Sequence, residues 1–219
     1  MHVVGDRLRP FWDFDDLDGS ERRFAKQLTQ ETSDAGRAEV LTQLARVHGL
    51  RERFAEGDQL ITRAEALSVG SAAVRARIQL ERGRLRNSSG DAGAGLTMFE
   101  AAFEIADQAG EEFLAADAAH MAAIASPDRQ AKVAWTERGI RIASESADRE
   151  VSYWIGPLYN NLGWEYQDAG EHEAALEAFQ RALASRERYP EMPALIQHAK
   201  EAVAEALRAL GRDDEASRL

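Results

Sequence analysis

The stretch NNLGWEYQDAGEHEAALEAFQRAL, residues 160–183, mixes large rings with very small side chains at regular intervals. One helical stripe with i, i+3, i+4 and i+7 spacing consists of Tyr159, Leu162, Gly163 and Tyr166. A second stripe with the same spacing consists of Ala175, Ala178, Phe179 and Ala182. Between them, Gly170 can adopt the left-handed conformation that ends a helix. The stretch therefore predicts a helical hairpin in which small residues let two backbones approach and rings fill the space beside them.

This hairpin resembles the tetratricopeptide repeat (TPR), whose pattern is an aromatic residue, Leu-Gly, Tyr, a turn Gly, Ala, Phe and Ala. The matching residues are Tyr159, Leu162, Gly163, Tyr166, Gly170, Ala175, Phe179 and Ala182. The proline that the family places near the end of the second helix is displaced here to Pro190, which predicts a longer helix. The resemblance implies a right-handed α-solenoid that binds other proteins.

The same signature recurs along the chain as one small residue followed by another twelve positions later. The pairs are Ala45 and Gly57, Gly83 and Gly95, Ala119 and Ala131, Gly163 and Ala175, and Ala204 and Ala216. Successive first members lie 38, 36, 44 and 41 residues apart, which is longer than the minimal repeat of about 34 residues. The sequence thus predicts an all-α protein of about five helix-turn-helix repeats.

Two copies depart from the pattern. In the second, Arg82 and Arg86 occupy slots that are usually apolar, which predicts a rotated first helix that buries Ile78, Leu80 and Leu85. In the third, Gly139 is expected to replace the final alanine, whose slot holds Arg138.

We expect an N-terminal acidic-aromatic arm at residues 1–19 and a TPR-like helical-repeat domain at 20–219. The expected units of that domain are a half-repeat at 20–33, repeats at about 34–70, 71–108, 109–146 and 151–190, and an incomplete repeat at 192–219. Turn sequences at 68–71, 107–110 and 189–193 mark expected joints. Ser20 is the expected N-cap of the half-repeat helix that carries Phe24 and Leu28.

The arm contains Phe11, Trp12 and Phe14 among five acidic residues. We expect these rings to pack against the first hairpin, and a disordered acidic-aromatic segment is the alternative. Its acidic tract, residues 13–19, lacks the spacing of a calcium-binding loop.

Charge and composition exclude several classes of partner and site and predict a location. The chain has 38 acidic and 27 basic residues and a formal net charge of −11, so its surface repels phosphate backbones and we expect no nucleic-acid partner. The absence of cysteine excludes thiolate nucleophiles and cysteine-based zinc sites and fits a reducing compartment. No apolar run approaches the length of a signal peptide or a membrane span. We therefore expect a cytoplasmic location and no membrane partner.

Motifs for catalysis or metal binding are incomplete. His172-Glu173 lacks the second histidine of a zinc-protease helix. The glycine-rich segment 90–97 has Leu96 where a phosphate-binding loop needs lysine. We expect no catalytic residue, no metal site, no cofactor and no enzymatic activity.

The resemblance implies that the first helices of the hairpins line a concave groove, and that the residue after each first small residue faces it. This column is Arg46, Arg84, His120, Trp164 and Glu205, with neighbouring slots Thr42, Asn87, Asn160, Asn161 and Gln167. The predicted peptide-binding residues are Arg46, Arg84, Asn87, His120, Asn160, Asn161, Trp164 and Gln167.

Carboxamides donate and accept hydrogen bonds, so the asparagines suit an extended peptide backbone, and arginines suit carboxylates. The alternatives are salt bridges between the arginines and neighbouring acids and a packing role for Trp164. The favoured function is a scaffold for a protein or peptide segment that is acidic or ends in a carboxylate. The other hypotheses are self-association, as in a homodimer, and a regulatory TPR module that responds to a small molecule through His120 and Trp164.

Overall fold

The computed structural model describes residues 6–67 and 70–219, in which the regular secondary structure is helical and includes no strand. The helices are α1 (Leu17–Gln30), α2 (Asp34–Leu50), α3 (Phe54–Leu67), α4 (Ala72–Ser88), α5 (Ala92–Ala109), α6 (Glu112–Ala125), α7 (Arg129–Glu145), α8 (Arg149–Ser152), α9 (Ile155–Asp168), α10 (His172–Arg186), α11 (Pro193–Ala209) and α12 (Asp213–Ala216). None of these helices is long and apolar enough to cross a membrane. Residues 1–5 of the expected arm, and Ser68 and Val69 of the first expected joint, lie outside the described residues. The predicted all-α solenoid class is confirmed.

The chain divides into two compact units, residues 1–126 and 127–219. In the first unit, α2 packs with α3 and α4 packs with α5 as hairpins, and α6 packs on α5. In the second unit, α9 and α10 form a hairpin that contacts α7 and α11. The third predicted copy has its first helix, α6, in the first unit and its second helix, α7, in the second unit.

Two hairpins are held by the same contact between a glycine and a ring. A Cβ atom placed on Gly163 would lie 2.4 Å from Cε1 of Phe179, and one on Gly83 would lie 2.6 Å from Cε1 of Phe99, whereas ordinary contacts are 3.4–4 Å. Both phenylalanines are fully buried. The small residues therefore leave room for a ring of the partner helix, and the expected packing of these two hairpins is confirmed.

The irregular second copy buries the predicted apolar residues, but its first helix keeps the register of the fourth copy, because Gly83 meets Phe99 as Gly163 meets Phe179. Its apolar residues Ile78, Leu80 and Leu85 are buried. Arg82 and Arg86 are partly buried and pair with acids of α3, at 2.7 Å from Glu65 and 2.7 Å from Asp58. In the third copy Gly139 is buried and Arg138 is exposed, as expected.

The helix ends follow local signals with one correction. Gly110 and Gly170 end α5 and α9 with φ values of +71° and +75°, as expected for turn glycines. Ser20, however, is not an N-cap, because α1 begins earlier and Asp16 caps it by accepting a hydrogen bond from the Gly19 amide at 2.8 Å. Ser20 is buried inside α1, where its hydroxyl donates to the Asp13 carbonyl at 2.8 Å. The acid nearer the start of the helix thus takes the capping role.

The described part of the arm packs against α1 and α2. The rings of Phe11 and Trp12 lie 5.8 and 5.1 Å from the buried ring of Phe24 on α1. The indole Nε1 of Trp12 donates to Oε1 of Gln43 on α2 at 2.8 Å. Phe14 stacks on Trp12 with 4.8 Å between ring centroids and remains 51% exposed. The first hairpin therefore fixes the aromatic segment, in agreement with the expected packing.

Candidate functional site

In the first unit, Arg84 is the centre of a buried ionic cluster. Its Nη1 donates to Oε1 of Glu81 at 2.6 Å and its Nη2 to Oδ1 of Asp117 at 2.5 Å. The three side chains are 12%, 2% and 5% exposed. Burial alone would lower the pKa of Arg84, but the two carboxylates outweigh it and raise that pKa. Arg84 thus joins α4 to α6 and has little capacity left for a ligand.

Burial and neighbouring charges also act in opposite directions on the pKa of Asp117. Burial would raise its pKa, but the charges of Arg84 and Arg46 hold the pKa of Asp117 below its ordinary value. His120, half-buried on the next turn of α6, acts in the same direction. Asp117 is therefore a charged structural partner of the arginines in the folded chain.

Arg46 on α2 is less completely neutralised than Arg84. Its Nη1 lies 3.8 Å from Oε1 of Glu81, and its side chain is 26% exposed. Its guanidinium lies 5.5 Å from the ring centroids of both Trp12 and Phe14, within cation–π range. Burial, followed by the like charge of Arg84, lowers the pKa of Arg46. The Arg46 side chain is thus partly exposed and lies beside the half-exposed ring of Phe14.

Two other predicted positions of the first unit face protein. A Cβ atom on Gly95 would lie 3.0 Å from Cβ of Asn87, so Asn87 sits against α5. Thr42 is fully buried, and its hydroxyl donates to the Glu39 carbonyl at 2.6 Å. Thr42 therefore offers no accessible polar group, whereas Asn87 is half-buried and stays a predicted ligand contact.

In the second unit, α9 carries the predicted amides. Asn160 and Asn161 are half-buried, and within the described ranges neither carboxamide has a side-chain hydrogen bond. Oε1 of Gln167 lies 3.1 Å from Nδ1 of His172 at the hairpin turn. Trp164 packs edge-on against Phe179, with 5.0 Å between the ring centroids. On this face, Asn160 and Asn161 can therefore form hydrogen bonds with a ligand, while Trp164 packs in the core.

The salt bridges considered as the alternative for the arginines are present at Arg84, but the sequence pattern did not identify the acids that form them. Glu81 precedes Arg84 by three residues, a spacing at which helical side chains meet. Asp117 is the sole acid in the buried run Leu114–Ala119, and a buried acid needs a charged partner. These two signals indicate paired charges, although neither identifies the partner helix.

Comparisons with known proteins agree with this architecture. A family model described as Tetratricopeptide repeat matches residues 157–189. The crystal structure of BtubC (BKLC) from P. vanneervenii is similar over 97% of this chain and 88% of that chain, with 16% identity and a TM-score of 0.75. A Podosopora anserina putative kinesin light chain with nearly identical TPR-like repeats is similar over 86% of this chain and 93% of its own, with 19% identity and a TM-score of 0.64. The MamA protein is similar over 81% and 87%, with 18% identity and a TM-score of 0.52.

A search of curated proteins by sequence found no match. At the identities of these solved structures, the likeness shows the fold alone. The residues of a site, and not the fold, determine what a chain binds.

Proposed function

We propose, from the tetratricopeptide repeat at residues 157–189 and the TPR-like fold, that the chain is a non-enzymatic scaffold that binds a peptide or protein segment along the first helices of its hairpins. The repeat at residues 157–189 and the TPR-like fold support this proposal, since proteins of this fold commonly mediate protein–protein interactions. Stacked hairpins hold their first helices rigidly, so binding costs little conformational entropy on the scaffold side.

The observation that carries the proposal is the state of Asn160 and Asn161. Both carboxamides are half-buried and have no side-chain hydrogen bond to a described residue. An extended peptide backbone presents alternating donors and acceptors, which an asparagine side chain can satisfy. Helix α9 is packed against α10 and α7, so the two amides are held in place before the ligand arrives.

The proposed preference for an acidic segment rests on Arg46 and not on Arg84. Arg84 already binds two buried carboxylates, whereas Arg46 is partly exposed and 3.8 Å from its nearest acid. In this proposal a carboxylate of the partner approaches the exposed part of the Arg46 side chain, next to the half-exposed ring of Phe14. This contact is separate from the amide contact in the second unit.

The test uses the partner that remains bound after native purification. Its affinity for the double variant Asn160→Ala/Asn161→Ala is measured by titration calorimetry, with helicity checked by circular dichroism. We expect a loss of about tenfold or more, because each neutral hydrogen bond contributes about 0.5–1.5 kcal/mol. Gln180→Ala, at an exposed position of α10, is the matched amide control and should bind normally. If the double variant binds with unchanged affinity, the asparagine surface is not the binding site.

A further inference from the structure

The second unit contains an open cleft that the peptide-binding proposal does not use. Its floor is α9, its walls are α7 and α10, and its volume is about 440 Å³. The floor carries Tyr159, Leu162 and Tyr166, the stripe that the repeat pattern assigns to packing. This volume lies in the range of ligand and peptide side-chain pockets, about 300–1,000 Å³.

The cleft continues along α7 into a neighbouring cavity of about 600 Å³, and both are lined by Glu137 and Tyr166. The lining residues of α7 extend from Arg129 to Ser144. At 1.5 Å per residue this stripe is about 22 Å long, or about four helical turns. A groove of this length with an aromatic and aliphatic floor has the dimensions of a binding groove for a helix.

The cleft and the asparagine surface lie on different sides of α9. Successive residues rotate a helix by roughly 100°, which places Asn160 and Asn161 away from the stripe of Tyr159, Leu162 and Tyr166. The lining of the cleft includes neither asparagine. Binding in the cleft is therefore independent of the proposed function.

The charged residues of one wall are already paired, whereas those of the other wall can still pair with a ligand. On α10, Arg181 is paired with Glu177 at 2.6 Å and also donates to the Tyr159 hydroxyl at 2.9 Å. On α7, Glu137 and Arg141 are exposed, and neither forms an ion pair or hydrogen bond with another described residue. An available acid and an available base therefore stand four residues apart along one edge of an apolar floor.

We propose that this cleft binds an amphipathic helix of a partner protein. The apolar ridge of that helix lies over Tyr159, Leu162 and Tyr166. Beside the ridge, a basic residue of the partner pairs with Glu137 and an acidic residue four positions away pairs with Arg141. The presence of an acid next to the base disfavours a ligand of uniform negative charge, because one end of it would meet Glu137.

The proposal is tested with two capped synthetic 15-residue helices that share one leucine ridge. Each carries a single Lys and a single Glu four residues apart, in opposite orders along the peptide. Titration calorimetry with the full chain should show a preference of about fivefold for one order, since two exposed ion pairs contribute about 1 kcal/mol together. In the variant Glu137→Arg/Arg141→Glu the preferred order should invert. Asn160→Ala/Asn161→Ala is the control and should bind both peptides as the parent chain does.

Three results would overturn the proposal. In the first, neither peptide binds. In the second, the charge-swapped variant keeps the original preference, or the asparagine variant loses the peptides. In the third, dodecanoate binds the chain in a manner sensitive to Arg141→Gln while the peptides do not bind, which would assign the cleft to an anionic amphiphile. If Asn160→Ala/Asn161→Ala binds the purified partner normally, the assignment of the cleft is unaffected. If the synthetic helices do not bind the cleft, the proposed role of the two asparagines is likewise unaffected.

Discussion

Replacing Gly163 by alanine tests the packing of the fourth hairpin directly. The new Cβ would lie 2.4 and 2.5 Å from two ring carbons of Phe179, about 1 Å closer than an ordinary contact. The ring is fully buried and contacts Trp164, so it has no free space to enter. Overpacking at the upper end of the usual range costs about 3 kcal/mol, and alanine returns about 1 kcal/mol of helix propensity, so we expect a net loss of about 2 kcal/mol.

The free energy of unfolding is measured by urea titration, followed by helicity and by tryptophan fluorescence, because Trp164 reports on this hairpin. The matched control is Gly93→Ala on α5, where the nearest atom to the new Cβ is 3.9 Å away; it should be neutral or stabilising by about 0.5 kcal/mol. Phe179→Leu in the Gly163→Ala background should restore part of the loss. A Gly163→Ala protein as stable as the parent would refute the packing account.

Two further predictions concern the ionic cluster and a turn. Asp117→Asn should lower the free energy of unfolding at pH 7 by about 1–3 kcal/mol. The pKa of Asp117 is lowered in the folded chain. The stability that its carboxylate contributes is therefore present above about pH 4 and is lost as the pH falls through the folded pKa. Urea midpoints of parent and variant should therefore converge in acid, and a constant difference would contradict this role. Gly170→Ala, at φ +75° with no neighbouring atom within 4 Å, should cost about 1 kcal/mol in thermal unfolding; no change would contradict the left-handed cap.

The hairpins could be predicted because their determinants are local. A glycine and a phenylalanine sixteen positions apart meet across one turn, as Gly163 and Phe179 do, and the same spacing joins Gly83 to Phe99. Turn glycines such as Gly170 act on their own backbone. The start of α1 was misplaced because several polar residues near it can cap a helix, and only the structure shows that Asp16 does so.

The candidate site was less predictable because it depends on contacts between helices. The sequence gives no means of pairing Arg84 with Asp117, which lies 33 residues later, so a structural arginine and a ligand-binding arginine look alike. The cleft depends on the space left between α7 and α10, which no residue pattern encodes. The asparagine pair was identified from the repeat pattern, and its role as a ligand contact stays a prediction.

The cluster of Arg84, Glu81 and Asp117 limits which hairpins can be neighbours in this chain. Hydrophobic attraction is not directional, so hairpins with similar apolar faces can stack on one another in more than one order along the array. Exchanging the hairpin of α4 and α5 for that of α9 and α10 would leave Asp117 without its arginine, and an unpaired buried carboxylate costs several kcal/mol. Electrostatics thus assigns the hairpin of α4 and α5 its own neighbours, so it is not interchangeable with the hairpin of α9 and α10, although the two share a motif.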